Sequence, residues 1–307
     1  MYIRRVQKKL ILKFKMKRIY CFLITILLFI SAIYPLQAQT TGGKKFWLTF
    51  GNNAGYSYNT LDLQIRIVGG DAPTSGTIEF TDLGTSIPFS VLAQQVYTYS
   101  LDNTEKQAVY NGVAGKSNRS IHITTNNPVT VYALTQHTAT TDATNVLPVT
   151  ALGTDYYQIS YEPFYYTYYV PIPPPPTPWT GTHLDAYAVI ATEDDIHISY
   201  NGAPLPVLNT GQVYYQTSST DMTGAHITAN KPVAFFAVSQ GALIPRASGA
   251  VDCLMQQLDP VNTWGKNFFV PVSHLTHDRV RIVASENNTN ITQVGGTIVS
   301  ATRLSQK

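Results

Sequence analysis

Short alternating runs of apolar and polar residues, bounded by Gly, Asn, Asp or Pro about every ten residues, set the pattern of this 307-residue chain. No stretch carries a sustained helical stripe, and the chain is rich in Thr, Tyr, Val and Ile, which fit a pleated surface. The pattern predicts an all-β protein. Two runs stand out: "IHITTNNPVTVYALTQ" at 121–136 and "AHITANKPVAFFAVSQ" at 225–240 share a His, an Asn, a Pro and a Gln in register. Each reads as a hairpin, the first with a turn at Asn126 and Asn127 and a second strand opened by Pro128. Alternation places Val129, Val131, Val233 and Phe235 inside. The same alternation puts His122 and His226 on the opposite face, where an imidazole needs no ligand.

The match extends outward. "VLAQQVYTY" (91–99) answers "VLNTGQVYYQ" (207–216), and "LPVTALGTDYY" (147–157) answers "DPVNTWGKNFF" (259–269). A glycine followed by an aromatic pair occurs three times, at Gly43, Gly153 and Gly265, and "IATEDDIHISYNG" (190–202) pairs with "VASENNTNITQVG" (283–295). The expectation is tandem β-sandwich-like units of about 110 residues. Residues 39–150 form unit one, 151–262 unit two and 263–307 an incomplete unit three. A propeller-like closed ring of blades is the alternative. An unfinished third unit implies an open sheet edge from about residue 296 onward and a chain that is part of a longer protein.

Composition changes the picture at the N-terminus. The first 38 residues hold no acid and eight bases, the last of them Arg18, and after these bases come the short apolar run "CFLITILLFISAIY" and "LQAQ". This is a secretory signal peptide, residues 1–38, with cleavage after Ala38; an uncleaved anchor is the alternative. Removing eight of the 21 bases leaves 13 against 18 acids, turning the net charge from +3 to −5. No basic cluster survives for nucleic acid, and no membrane span remains. Cys253 is then the sole cysteine, which excludes an internal disulfide.

Catalytic signatures are lacking: no GxSxG elbow, phosphate loop or dinucleotide fingerprint occurs. "HLTHD" at 274–278 places its imidazoles on opposite faces of a strand, and "EDD" at 193–195 suits a turn as well as a calcium loop. The chain is read as a non-enzyme with no cofactor and no metal. One segment escapes the repeat, a Tyr- and Pro-rich insertion at 161–180 in unit two. Pro173 to Pro176 must be extended there, and rigid aromatics lose little entropy on binding. Tyr165, Tyr166, Tyr168, Tyr169 and Trp179 are therefore the candidate ligand-binding residues, on a projecting loop. Packing of these rings onto the neighbouring sheet is the alternative.

"GKKFWLTF", "HITTNNPVTVYAL" followed by "TTDATNVLPVTALGTDYY", and "DCLMQQLDPVNTWGKNFFVPV" followed by "RVRIVASENNTNIT" resemble the N-terminal domain of the IgGFc-binding protein family. The resemblance runs from about Gly43 to the last residue. It implies an exported, extracellular or cell-surface protein. In animals such domains belong to a mucin-associated protein that binds immunoglobulin Fc, and in bacteria to secreted proteins. Relatives carry a cysteine shortly after the second twin segment and another just before the position of Asp252. Here Gly241 or Ala242, and Val251, stand in those places. The expected function is a secreted or cell-surface adhesion and binding module, its partner a glycoprotein, mucin or other extracellular ligand. An extracellular carbohydrate-active hydrolase and a structural spacer are the rival readings.

Overall fold

The computed structural model describes residues 41–170, 177–245, 249–271, 279–296 and 303–304, without the side chains of 168–170, 177–180 and 303–304. The signal peptide, the proline run and "HLTHD" lie outside the described residues. The chain is all-β, as the alternation predicts. It first forms β1 (Gly42–Leu48), β2 (Phe50–Gly51), β3 (Asp62–Gly69), β4 (Thr74–Phe80), β5 (Thr85–Val91) and β6 (Val96–Ser100). Helix α1 (Asn103–Val109) follows, with β7 (Tyr110–Asn111), β8 (Gly115–Ser117), β9 (Ile121–His137) and β10 (Thr140–Val146). Asp102 and Glu105 close a capping box at the start of α1, satisfying two orphan N–H groups. Sheet one has the order β5-β4-β9-β3-β6, and β1 and β10 also pair with β9.

The second part contributes β11 (Gly153–Tyr157), a ribbon of β12 (Phe164–Val170) and β13 (Thr177–His183), then β14 (Asp185–Ala191), β15 (Ile198–Tyr200) and β16 (Ala203–Pro204). After these come β17 (Val213–Ser218), β18 (His226–Ala242), β19 (Asp252–Gln257) and a short last pair, β20 (Thr289–Asn290) with β21 (Arg303–Leu304). Sheet two runs β16-β15-β18-β14-β17-β8, with β11 and β19 also on β18. From β16 to β17 its order follows that of sheet one strand for strand.

The twin segments are not hairpins. Each is one 17-residue strand, β9 or β18. In β9 the buried positions Ile121, Ile123, Thr125, Val129 and Val131 are all odd-numbered, so the inward face keeps its phase through Asn126–Pro128. What changes there is the neighbour. The first half of β9 pairs with β4 up to Thr125, and the second half pairs with β3 from Val129. Pro128 sits in the gap between the two partners, where no ladder N–H is required. Asn126 and Asn127 bridge it with bonds to Ser75, Thr74 and Pro73. In β18 the partner changes from β15 to β14 around Pro232, and Asn230 exchanges bonds with His197 and Asp195. The Asn-x-Pro signature thus marks a change of partner and not a reversal of the chain.

Strand β14 is buried at all seven positions because it has a cover on both faces. Ala186, Ala188 and Ile190, with Phe236 and Val238 of β18, join the main core containing Phe46, Ile65 and Val131 of sheet one. Tyr187, Val189 and Ala191 face the other way, into a second cluster with Phe235, Ile227 and Ile196. The main core therefore draws on both sheets. Val129, Val131, Val233 and Phe235 are all buried, on the faces that alternation assigned.

The sheets are also joined edge to edge. The N–H groups of Cys253, Met255 and Gln257 on β19 point to Thr140 Oγ1, Asp142 Oδ2 and Thr144 Oγ1 on β10, at 2.9, 2.5 and 2.8 Å. Alternate side chains of one edge strand take the place of a backbone partner for the other. In return, Thr141 N–H donates to Asp252 Oδ1 and Leu147 N–H to Gln257 Oε1. The pattern Thr-x-Asp-x-Thr in "TTDAT" thereby satisfies an edge that would otherwise be left unpaired.

Candidate functional site

On the face of sheet two turned away from sheet one, strands β14, β15 and β17 each present a tyrosine. Tyr187 lies at the centre, stacked on Tyr200 with ring centroids 5.1 Å apart and tilted against Tyr214 at 6.4 Å. Tyr200 and Tyr214, both half-buried, floor a groove of about 810 Å³, with Tyr187, 1% exposed, packed beneath them. Its rim consists of short neutral side chains, among them Asn201, Gln216, Thr217, Ser218, Thr220 and Thr223. The lining contains no Lys or Arg, and its one carboxylate is Asp221. Among the described residues the Tyr187 and Tyr200 hydroxyls have no hydrogen-bond partner, and burial pushes that of Tyr200 up to about 12. A concavity of about 590 Å³ on sheet one has only Phe89 as an aromatic in its lining.

The wall of the groove, residues 218–225, is pinned from behind. Asp185 is fully buried; its Oδ2 accepts from Met222 N–H at 2.6 Å and Ser160 Oγ at 2.7 Å, and its Oδ1 from Ala186 N–H. Burial pushes this carboxyl up to about 7 against the pull of these donors and with the help of the Asp221 charge. Arg281 reaches in from the C-terminal segment, donating to Asp221 at 2.7 Å, Thr223 Oγ1 and the Ser160 carbonyl, and lies 4.2 Å over the Tyr161 ring. Burial raises the Asp221 carboxyl, but Thr223 and Arg281 outweigh it and hold the group below the usual carboxylate range.

Within the insertion at 161–180, where a projecting loop was expected, β12 and β13 pair as a β-ribbon. Strand β12 reads "FYYTYYV", a run of aromatic and β-branched residues that favours a strand. Tyr166 faces Gly181 across the ribbon and stacks on His183 at 4.9 Å, as does Phe164 at 6.2 Å. A side chain at Gly181 would collide with the Tyr166 ring. Tyr165 is 57% exposed, and its hydroxyl donates to the Ser219 carbonyl at 2.6 Å, tying the ribbon to the groove wall. Tyr168 pairs with Trp179 and Tyr169 with Pro178 along the ribbon backbone; these side chains lie outside the described set. All five candidate residues thus share one ribbon, and of the two whose side chains are described, Tyr165 and Tyr166, neither lines the groove. Sequence reasoning missed Tyr187, Tyr200 and Tyr214, which are far apart in the chain and sit in unremarkable strand patterns.

The other residues singled out in the sequence have structural places. His122 stacks on Trp47 at 4.2 Å and bonds Glu79 at 3.1 Å; His226 stacks on Tyr157 at 4.4 Å and bonds Asp155 at 2.7 Å. At 193–195, Asp194 accepts from both Thr210 N–H and Thr210 Oγ1, and Lys231 donates to its carbonyl. Among the described residues no group of three or more His, Cys, Asp or Glu side chains is placed to hold a metal ion. Cys253 is buried and free, its thiol pushed up to about 12 by burial. A Cβ on Gly241 would lie 2.7 Å from Val251 Cγ1. The two positions at which the resemblance implied a cysteine pair therefore do face each other, with Val251 filling the space.

Comparison with known proteins gives two findings. Residues 142–306 match the family described as IgGFc binding protein. Over 175 residues the chain is 26% identical to the IgGFc-binding protein of Homo sapiens, a match that covers 52% of this chain and 3% of the human protein.

Proposed function

The chain belongs to the IgGFc-binding protein family, and we propose that it is an exported, non-catalytic binding module whose groove on sheet two takes the carbohydrate of an extracellular glycoprotein or surface polymer. The observation that carries this reading is the pair of half-buried tyrosines, Tyr200 and Tyr214, backed by the buried Tyr187 inside a rim of neutral hydroxyl and amide side chains. A sugar ring offers an apolar C–H face to an aromatic ring and hydroxyls to such a rim. A lining without cations does not suit phosphate or nucleic acid. Binding rather than hydrolysis is favoured because glycoside cleavage uses two carboxyls about 5–9.5 Å apart across the bond. Asp221 is committed to Arg281, and Asp185 is buried behind the wall. The ribbon, with Tyr165, Tyr166, Tyr168, Tyr169 and Trp179, extends the contact surface on one side. Export rests on the basic, then apolar, leader at 1–38; no described helix is long and apolar enough to cross a membrane.

The test is a screen of the purified protein against neutral oligosaccharides, mucin and immunoglobulin Fc, the last because the human relative is named for binding it. At least one carbohydrate-bearing ligand should be retained. Tyr200→Ala and Tyr214→Ala should each weaken it by tenfold or more, in line with about 2 kcal/mol for a hot-spot aromatic. Retention of none, or retention unaffected by both substitutions, would refute the groove as the site. Replacing the five ribbon aromatics with Ser separates the two surfaces: a loss there with Tyr200→Ala silent assigns binding to the ribbon alone.

A further inference from the structure

Three segments of this chain have a glycine followed, three and four positions later, by two aromatics, and two of them occupy the same setting. In β1, Phe46 pairs with Ile123 and Trp47 with His122 of β9; in β11, Tyr156 pairs with Ile227 and Tyr157 with His226 of β18. The first aromatic of each pair is fully buried, and the second stacks on the histidine. The glycines match too. A Cβ on Gly43 would collide with Pro148, and one on Gly153 would lie 2.5 Å from the Pro260 side chain. Even the lead-in is shared, since a three-residue 3-10 turn with a proline N-cap precedes both Gly153 and Gly265.

The third segment, residues 265–271, has none of these partners among the described residues. Phe268 is 73% exposed, Phe269 98% and Val270 53%. The nearest atom to a Cβ on Gly265 is the Asn267 carbonyl oxygen, at 3.8 Å, and the segment belongs to no strand. Three contiguous exposed apolar side chains mark an interaction surface more than a solvated one.

We propose that residues 265–271 are an acceptor for an added β-strand, and that the strand it takes has the His-Ile-Thr-x-Asn-x-Pro-Val pattern of β9 and β18. The register follows from the two filled copies. Phe268 lies opposite the Ile and becomes buried, Phe269 stacks on the His, and Gly265 lies opposite the Val, as Gly43 does with Val129 and Gly153 with Val233. Backbone hydrogen bonds along the new edge supply affinity, and the Ile and His pockets supply selectivity. A second copy of this chain is not the donor, because the first halves of its own β9 and β18 are each held between two strands, β1 and β4 or β11 and β15.

The experiment uses the purified protein and a synthetic peptide with the sequence of residues 225–240, followed by isothermal titration calorimetry. Saturable one-to-one binding is expected. Ile227→Asp in the peptide should weaken it at least tenfold, as should Phe268→Ser in the protein. Because Phe268 is exposed, the Phe268→Ser protein should melt at the wild-type temperature. Absence of binding at about 1 mM peptide, where even a weak site of about −4 kcal/mol would fill by half, overturns the proposal. Equal binding by the Ile227→Asp peptide or by the Phe268→Ser protein also overturns it. So does a dimer in sedimentation that the peptide fails to displace, since the surface would then belong to a second copy.

Discussion

Replacing Thr144 with Val tests the side-chain ladder between the sheets with almost no change of shape. Thr144 is 1% exposed, and its Oγ1 accepts the N–H of Gln257, itself 2% exposed, at 2.8 Å. Val fills the same volume but offers no acceptor, so the Gln257 N–H stays buried and unpaired, at a cost of about 1–3 kcal/mol. For a folded body of this size each kcal/mol lowers the melting temperature by about 2–4 °C, so Thr144→Val should melt roughly 2–12 °C below wild type. The control is Thr141→Val, three positions back along the strand, where the side chain is exposed and only the backbone N–H joins the ladder. That variant should stay within about 0.5 kcal/mol of wild type. The assay is urea unfolding of both variants with calorimetric melts in parallel. Equal stability of the two would show that the β10 side chains do not hold the β19 edge, and the edge-to-edge link would have to be abandoned.

Other outcomes follow from the same contacts. The folded-state value of about 7 for Asp185, against 3.8 for an ordinary Asp, means that the folded protein binds this proton more tightly than the unfolded chain. Its contribution is present in full below about pH 4 and is lost as pH rises to about 7, to an extent on the order of 4 kcal/mol. The half-buried His122 and the buried His183, both shifted downward chiefly by desolvation, act in the opposite sense. The quantity to measure is therefore wild type minus Asp185→Asn in urea melts at pH 5 and pH 8, and a difference that grows with pH would contradict the assignment. Gly153→Ala should cost about 1–3 kcal/mol through overpacking against Pro260, whereas Gly265→Ala should be silent in the isolated protein; equal effects would remove the distinction between filled and unfilled copies. Intact-mass analysis of exported protein should find an N-terminus at Gln39, and a retained leader would favour the anchored alternative.

The strand pattern and the inward face were readable because a period of two is a local property. Alternation alone placed Val131 and Phe235 inside. The hairpin reading failed because Asn and Pro are turn residues in most settings, and the sequence does not say whether a run has one partner or two. The decisive clue was the even spacing between Thr125 and Val129, which keeps one face inward through the supposed turn. The ladder was hidden for a different reason: Thr140, Asp142 and Thr144 look like the solvated face of any strand until another edge lies beside them. The groove depended on non-local pairing throughout. Tyr187 and Tyr200 meet only because β14 and β15 both pair with β18, Tyr214 joins them through β17 on β14, and no local pattern encodes that juxtaposition.

The position of the groove follows from how sheet two is covered. A central strand as apolar as "DAYAVIA" needs a layer on each face, and sheet one supplies one of them through Phe46, Ile65 and Val131. The other face is left to loops. Residues 158–161 and 218–225, fastened by Asp185 and Arg281, reach only part of the way across. Where that cover stops, the boundary of the core is made of the half-buried Tyr200 and Tyr214, packed on the buried Tyr187. A binding groove at this boundary needs no strained backbone and no dedicated loop of its own. It needs only that the loop cover end over Tyr200 and Tyr214. Lengthening or tightening the 218–225 loop would bury the rings and close the site, so on this reading the pinning of that loop sets both the stability of the outer cluster and the width of the groove.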